Sequence, residues 1–242
     1  MSEVSVRTNR CRKSKKTPQE VKMEMRNRDY VKRFSECSEE LLHRFGSARL
    51  EETGFPAYFS WFWPASWLMW RRVFAAQRLL VGLRGQSVLD FGSGLGVLLP
   101  YLEENFGNVV ACDRDAEITE FMIRRLDLKH VQVVRSVSDC QGRAFDVVLA
   151  LDILEHVGDL SETLRSLEDL TVKDGRWVIS GPTENVLYRL GRKIARTTGE
   201  GHVRTIYDVL EEVCEHMTCE RQFKLPPAAP FFLIALFTKG PR

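Results

Sequence analysis

The chain has 242 residues, 44% of them hydrophobic and 28% charged, with a formal net charge of +2. That length supports one sizeable α/β domain with extensions and does not require two. No stretch reaches the ~18 consecutive apolar residues of a membrane span, so an integral membrane protein is excluded from the expectations.

The charge is unevenly placed. Residues 1–34 are strongly basic and poor in large apolar side chains, which predicts a disordered arm. Such an arm suits contact with nucleic acid or an anionic membrane, or it is a solvated tail. No apolar segment follows its arginines, as a secretory signal would require. EELLHRFGSARLEE (39–52) and WLMWRRVFAAQRLLVGL (67–83) then carry apolar residues at helical spacing, so 35–84 reads as a helical extension. Within it, YFSWFWPASWLMW (58–70) holds four of the five tryptophans, is interrupted by Pro64 and is closed by Arg71 and Arg72. Its rings suit an interface between apolar and wet surroundings, or the apolar wall of a small-molecule pocket.

From residue 85 strands and helices alternate. QSVLDF (86–91), NVVACD (108–113), VQVV (131–134), FDVVLAL (145–151) and RWVISG (176–181) are short apolar strand candidates. LLPYLEEN, EITEFMIRRL and SETLRSLEDL between them are amphipathic. The pattern predicts a parallel sheet covered on both faces. CERQFKL and FFLIALFTK near the end are separated by too few residues for a helical crossover and must pair antiparallel. The expected fold is therefore α/β: a Rossmann-like, doubly wound seven-stranded sheet, mostly parallel, with a C-terminal antiparallel hairpin. The six cysteines show no CxxC pairing, which suits a reducing, cytoplasmic setting better than a disulfide framework.

LDFGSGLG (89–96) carries the chemistry. A dinucleotide fingerprint, G-x-G-x-x-G/A, needs a small residue at position 97, which is Val97. The spacing present is Gly92-x-Gly94-x-Gly96, with Asp90 two residues ahead. A carboxylate at the strand's carboxyl end suits a ligand bearing an ammonium group and repels a pyrophosphate. S-adenosylmethionine (SAM) has the ammonium; a nicotinamide dinucleotide has the pyrophosphate.

From about residue 85 to 238 the chain resembles the class I SAM-dependent methyltransferases. VLDFGSGLG matches their first motif, NVVACDRD the second, AFDVVLALDILEHV the fourth-strand motif and LTVKDGRWVISGP the fifth-strand region. The resemblance implies SAM as methyl-donor cosubstrate, a SAM-binding domain over 85–242 and an acceptor site built partly by 35–84 and an insertion at 182–204. It implies that Asp90, Gly92, Ser93, Gly94 and Gly96 hold the methionine end, and that Asp113, beside Arg114, takes the ribose hydroxyls. It also implies that Leu151 borders the cofactor. Where the family places an acidic residue against the adenine amine, Asp139 is the candidate, with the backbone near Ser138 as the alternative.

DILEHV (152–157) resembles the same segment in the O-methyltransferases of ubiquinone biosynthesis. In those enzymes an acidic-x-x-acidic-His arrangement has been linked to a divalent metal. Asp152, Glu155 and His156 take matching places here, with His156 alternatively a general base or a pocket-lining side chain. Leu187, Leu190 and Ile194 form one helical face of 186–196 against Arg189, Arg192, Lys193 and Arg196, a pattern that suits a membrane surface or simple packing on the core. Glu184 and His202 are further acceptor candidates. The leading expectation is methyl transfer to a hydroxyl of a small or lipid-like molecule, with peripheral membrane contact through 58–70 and 186–196. An RNA or protein methyltransferase using the basic arm is one alternative. A non-catalytic SAM-binding or interaction module is the other. Oligomeric state is silent.

Overall fold

The structure, a computed structural model, describes residues 18–83, 87–183, 204–227 and 230–240, the side chains of 18–26 aside. Seven strands form one sheet: β1 (Ser87–Phe91), β2 (Asn108–Cys112), β3 (Val131–Val134), β4 (Phe145–Leu151), β5 (Thr171–Pro182), β6 (Thr218–Leu225) and β7 (Phe232–Thr238). Their order is β3-β2-β1-β4-β5-β7-β6. The first five run parallel, and β7 lies antiparallel to both β5 and β6. This is the expected topology.

Period-two alternation sorts the strand side chains into two cores. Val88, Val109, Val147, Leu149 and Val178 face one layer; Leu89, Val110, Val148, Ala150 and Ile179 face the other. The second layer is α7 (Leu160–Asp169) and α8 (Ile206–His216), whose Leu164, Leu167, Val209 and Val213 are buried. The first is covered by α5 (Leu99–Asn105), α6 (Ala116–Arg125) and the N-terminal helices. A sheet apolar on both faces must be covered on both, so the helices follow from the strand composition.

The N-terminal shell comprises α1 (Pro18–Ser35), α2 (Ser38–Glu51), α3 (Phe55–Tyr58) and α4 (Trp63–Leu80). The first of these corrects the expectation of a disordered arm over 1–34: from Pro18 onward the chain is helical, and residues 1–17 lie outside the described residues. Tyr30, Val31 and Phe34 recur at helical spacing and pack against α4. Phe34 is buried, with its ring centroid 5.5 Å from that of Trp70. The Tyr30 hydroxyl donates to the Val97 carbonyl at 2.6 Å, and Arg33 donates to the Leu126 carbonyl at 3.0 Å. Three apolar side chains on one face anchor a helix whose mean composition is polar.

β5 starts earlier than expected, at Thr171, because Thr171 pairs with Phe145 before an irregularity restores regular register at Arg176–Val147. The insertion over 182–204 falls almost wholly outside the described residues. Glu184, His202 and the basic amphipathic segment 186–196 lie there. Among the described residues no helix is long and apolar enough to cross a membrane.

Candidate active site

Strand order reverses at β1, which pairs with β2 on one side and β4 on the other. Open α/β sheets bind ligands outside the carboxyl ends of the strands at such a point. Here a cleft of about 1560 Å³ opens there, lined by Asp90–Leu95, Cys112–Asp115, Arg135–Ser138, Leu151–Ile153 and the N-terminal shell.

Asp90, the penultimate residue of β1, is almost completely buried on the cleft wall. Burial pushes its pKa up to about 7, and the neighbouring negative charge of Asp113 adds to the rise. After Asp90 the backbone folds back on itself: the Gly92 amide donates to the Cys112 carbonyl at 2.8 Å and the Gly96 amide to Ser93 at 2.7 Å. Gly92 has φ 75°, and a Cβ there would sit 2.5 Å from Cγ1 of Ile153, so no larger residue fits. Ser93 is buried with its hydroxyl 3.2 Å from that of Thr119, which donates to the Gly94 carbonyl at 2.8 Å. Gly96 tightens the turn from behind; it is absent from the cleft wall and lies against Leu99.

Asp113 follows β2. Its two oxygens accept the amides of Gly94 at 2.7 Å and Asp115 at 2.9 Å. These bonds aim the carboxylate across the glycine turn, and each oxygen keeps acceptor capacity for a hydroxyl. Arg114 is on the cleft wall but largely exposed, 3.5 Å from Glu52. Leu151 lines the cleft at the end of β4.

Asp139 is placed differently from the adenine-facing position considered for it. Its carboxylate accepts the amides of Ser136 at 3.0 Å and Arg135 at 3.2 Å, closing a capping box on a short 3₁₀ turn over Val137–Cys140. The cleft wall here is Arg135, Ser136, Val137 and Ser138, the backbone stretch that was the alternative.

A roof covers this half of the cleft. Thr53, after α2, faces Gly94 closely enough that a Cβ added there would lie 3.7 Å from it. Arg49 grips Asp115 with two bonds of 2.5 Å and Glu117 with one of 2.8 Å. The guanidinium holds the Asp115 carboxyl below its usual range.

The other half of the cleft is apolar and aromatic, walled by Tyr58, Phe62, Trp63, Trp67, Met69, Phe231 and Phe232. Arg72 stands buried among these groups. It forms an ion pair with Asp152, donates to the Tyr58 hydroxyl at 2.5 Å and lies over the Phe232 ring at 5.2 Å. Asp152 has φ 55°, accepts from the Ser180 hydroxyl at 2.8 Å and donates its amide to the Ser180 carbonyl at 2.9 Å. A non-glycine residue in that backbone region is strained unless its surroundings hold it, as these bonds do. His156 closes a 3₁₀ turn (Leu154–His156), exposed on the cleft wall beside the carboxyl end of β4. Arg204 steadies the following loop through the Val157 and Gly158 carbonyls, at 2.8 and 3.1 Å.

Asp152, Glu155 and His156 do not converge as a ligand set. Asp152 is committed to Arg72 and Ser180, Glu155 is buried, and His156 points from the exposed side of the turn. Among the described residues no group of three or more His, Cys, Asp or Glu side chains is arranged to hold a metal ion. The trio does not fit a divalent cation.

Arg72, Thr53 and the Arg49–Asp115 clamp were missed by sequence reasoning, whereas Tyr58 belongs to the 58–70 segment, for which a pocket wall is one of the expectations. For Arg72 a signal existed. It falls in the stripe Met69, Arg72, Val73, Ala76, all buried in α4, and an arginine in a buried stripe requires a carboxylate partner.

Comparison with known proteins agrees with this architecture. The family described as "Methyltransferase domain" matches residues 32–218. A ubiquinone biosynthesis O-methyltransferase of Pseudomonas aeruginosa is 29% identical over 111 residues, 43% of this chain and 47% of that protein. A second from Albidiferax ferrireducens is 31% identical over 106 residues, 41% and 42% of the two chains. The chain thus spans about half the length of the curated relatives it matches. The N-methyltransferase NodS from Bradyrhizobium japonicum, solved with S-adenosyl-L-homocysteine, superposes with a TM-score of 0.58 at 16% identity, covering 70% of this chain and 86% of that one. Magnesium protoporphyrin IX methyltransferase from Synechocystis superposes at 0.55 with 18% identity, covering 70% and 83%. At these identities the likeness is one of fold.

Proposed function

The chain belongs to the class I SAM-dependent methyltransferases, and from that premise we propose that it transfers the methyl group to a hydroxyl oxygen of a small, largely apolar acceptor. The observation that carries this reading is the division of one cleft into two chemically distinct halves. One offers a buried carboxylate, a glycine turn and Asp113; the other offers aromatic walls, and His156, just after β4, lines the same cleft.

In the cofactor half, Asp90 meets the ammonium of SAM, the glycine turn lets the methionyl chain lie against bare backbone, and Asp113 accepts from the ribose hydroxyls. The adenine rests near Val137 and Ser138. In the other half, the aromatic side chains exclude water and set the acceptor oxygen in line with the methyl carbon and sulfur. An oxygen lone pair forms the new O–C bond, the C–S electrons return to sulfur to give the neutral thioether, and the hydroxyl proton passes to the His156 imidazole. Arg72, neutralised by Asp152, orients Tyr58 and Phe232 in the chamber wall. The named activity of the ubiquinone-pathway relatives supports oxygen as the acceptor atom.

The test is transfer of label from methyl-tritiated SAM to a solvent extract of cells lacking the protein. Base-stable label in the organic phase is expected, as an ether gives. Label confined to protein or RNA would refute the reading, as would calorimetry showing no SAM binding.

A further inference from the structure

Three of the four tryptophans clustered near α4 stand outside the core. Trp61 is 77% exposed, Trp63 72% and Trp67 46%, whereas Trp70, two turns deeper, is 4% exposed. Scattered exposed apolar side chains are ordinary, but three indoles within seven residues are not. Trp63 and Trp67 also form the rim of the apolar half of the cleft, while Trp61 lies outside its wall. Arg71, exposed, stacks over the Trp67 ring at 4.8 Å.

The electrostatics of the segment are one-signed. Between Glu52 and Asp90 there is no Asp or Glu, while Arg71, Arg72, Arg78 and Arg84 all fall in that span. Asp152 neutralises Arg72, so among the described residues of this segment Arg71 is the cation left at the tryptophan rim. Indole rings beside an uncompensated arginine match the chemistry of a headgroup layer, with ring bodies in the acyl boundary and the guanidinium among phosphates. A protein partner's apolar patch would leave Arg71 to be matched separately; an anionic lipid surface accommodates both.

We propose that Trp61, Trp63 and Trp67, with Arg71, dock this protein on an anionic membrane surface, so that the mouth of the apolar chamber opens onto the bilayer. Delivery of a lipid-like acceptor through that mouth rests on the acceptor reading above; docking itself does not.

The full chain is mixed with vesicles of phosphatidylcholine alone, or of phosphatidylcholine with phosphatidylglycerol, and co-sedimentation is measured. Binding to the anionic vesicles is expected, weakening as salt is raised, with a blue-shifted tryptophan emission and quenching by lipids brominated near the headgroup. Trp61→Ala should lower the vesicle partition coefficient several-fold, and the triple change of Trp61, Trp63 and Trp67 to Ala about tenfold or more. Arg71→Glu should lower binding to anionic vesicles alone. SAM binding by calorimetry is measured on each variant, so that loss of fold, or failure of the methyltransferase reading, is distinguished from loss of docking. Vesicle binding unaltered by all three variants would overturn the proposal. So would absence of binding to the anionic vesicles, and self-association abolished by the same changes would then make the patch a contact between copies.

Discussion

With Asp90 pairing with the SAM ammonium as proposed, its buried charge makes SAM affinity a function of pH. Its pKa of about 7 arises first from burial and then from the Asp113 charge, so near neutrality half of the unliganded molecules carry a proton there. The folded form holds that proton more tightly than the unfolded chain, whose carboxyl titrates near 3.9. The group's contribution to stability is therefore full below about pH 4 and is lost as pH rises through about 7. An ammonium needs the ionised form, so SAM binding must expel the proton. The ionised fraction is about 0.09 at pH 6 and about 0.7 at pH 7.4, while an α-amino group of pKa about 7.8 loses its own proton on the alkaline side. The product of the two fractions makes affinity roughly sixfold weaker at pH 6 than at about 7.4, where it peaks before falling again on the alkaline side. Calorimetry in buffers of different ionisation enthalpy reads this directly. Near pH 6, release of close to one proton per SAM is expected, and Asp90→Asn should remove the acid limb while weakening binding about 10- to 150-fold. Affinity that is flat from pH 5.5 to 7.4, or an acid limb that survives in Asp90→Asn, would refute the reasoning.

Other perturbations separate the roles of neighbouring groups. His156→Ala should lower turnover by about 10²- to 10⁴-fold, the range of a lost general base, and leave the SAM dissociation constant within about twofold; equal loss of both would mark a structural role. Gly92→Ala combines positive φ with a clash against Ile153, and should cost about 2–4 kcal/mol in urea unfolding, with SAM binding lost. Arg72→Ala leaves the partly buried Asp152 without its cation; a loss of about 2–3 kcal/mol is expected, less than for a fully buried pair because Asp152 keeps some solvent contact. Restoring stability with Asp152→Asn in the same chain would identify the unpaired charge as the cause. Tyr30→Phe removes one bond to Val97 and should cost about 1 kcal/mol.

The sheet was legible because each strand is a short apolar run bounded by turn residues, and parallel strands buried on both faces leave that trace. The glycine turn and the two acidic strand ends were legible for a related reason: close ligand approach constrains residue type locally. What was missed depends on distant partners. Arg72 finds Asp152 eighty positions away, and Arg49 finds Asp115 across sixty-six. The buried stripe of α4 signals that Arg72 needs a carboxylate, but nothing in local spacing says which one, and nothing signals the Arg49 pair at all. Tyr30 and Phe34 vanished in the charge average of the N-terminal segment, although their i,i+4 spacing was a helical signal. The Asp139 reading failed to use what was present: Ser136-Val137-Ser138-Asp139 is itself the signature of a capping box, and a carboxylate so engaged is turned toward its own backbone.

The Arg72–Asp152 pair joins α4 to the end of β4, so the helical shell and the catalytic edge of the sheet are written in one another's terms. Grafting the shell of a relative onto this sheet, a natural route to a new acceptor preference, would have to import both members of that pair together with Tyr58 and Ser180. A transplant that carried only the helices would leave a stranded carboxylate in the cleft wall. On the proposed reading of the cleft, acceptor choice is therefore inherited as a block, not tuned one helix at a time.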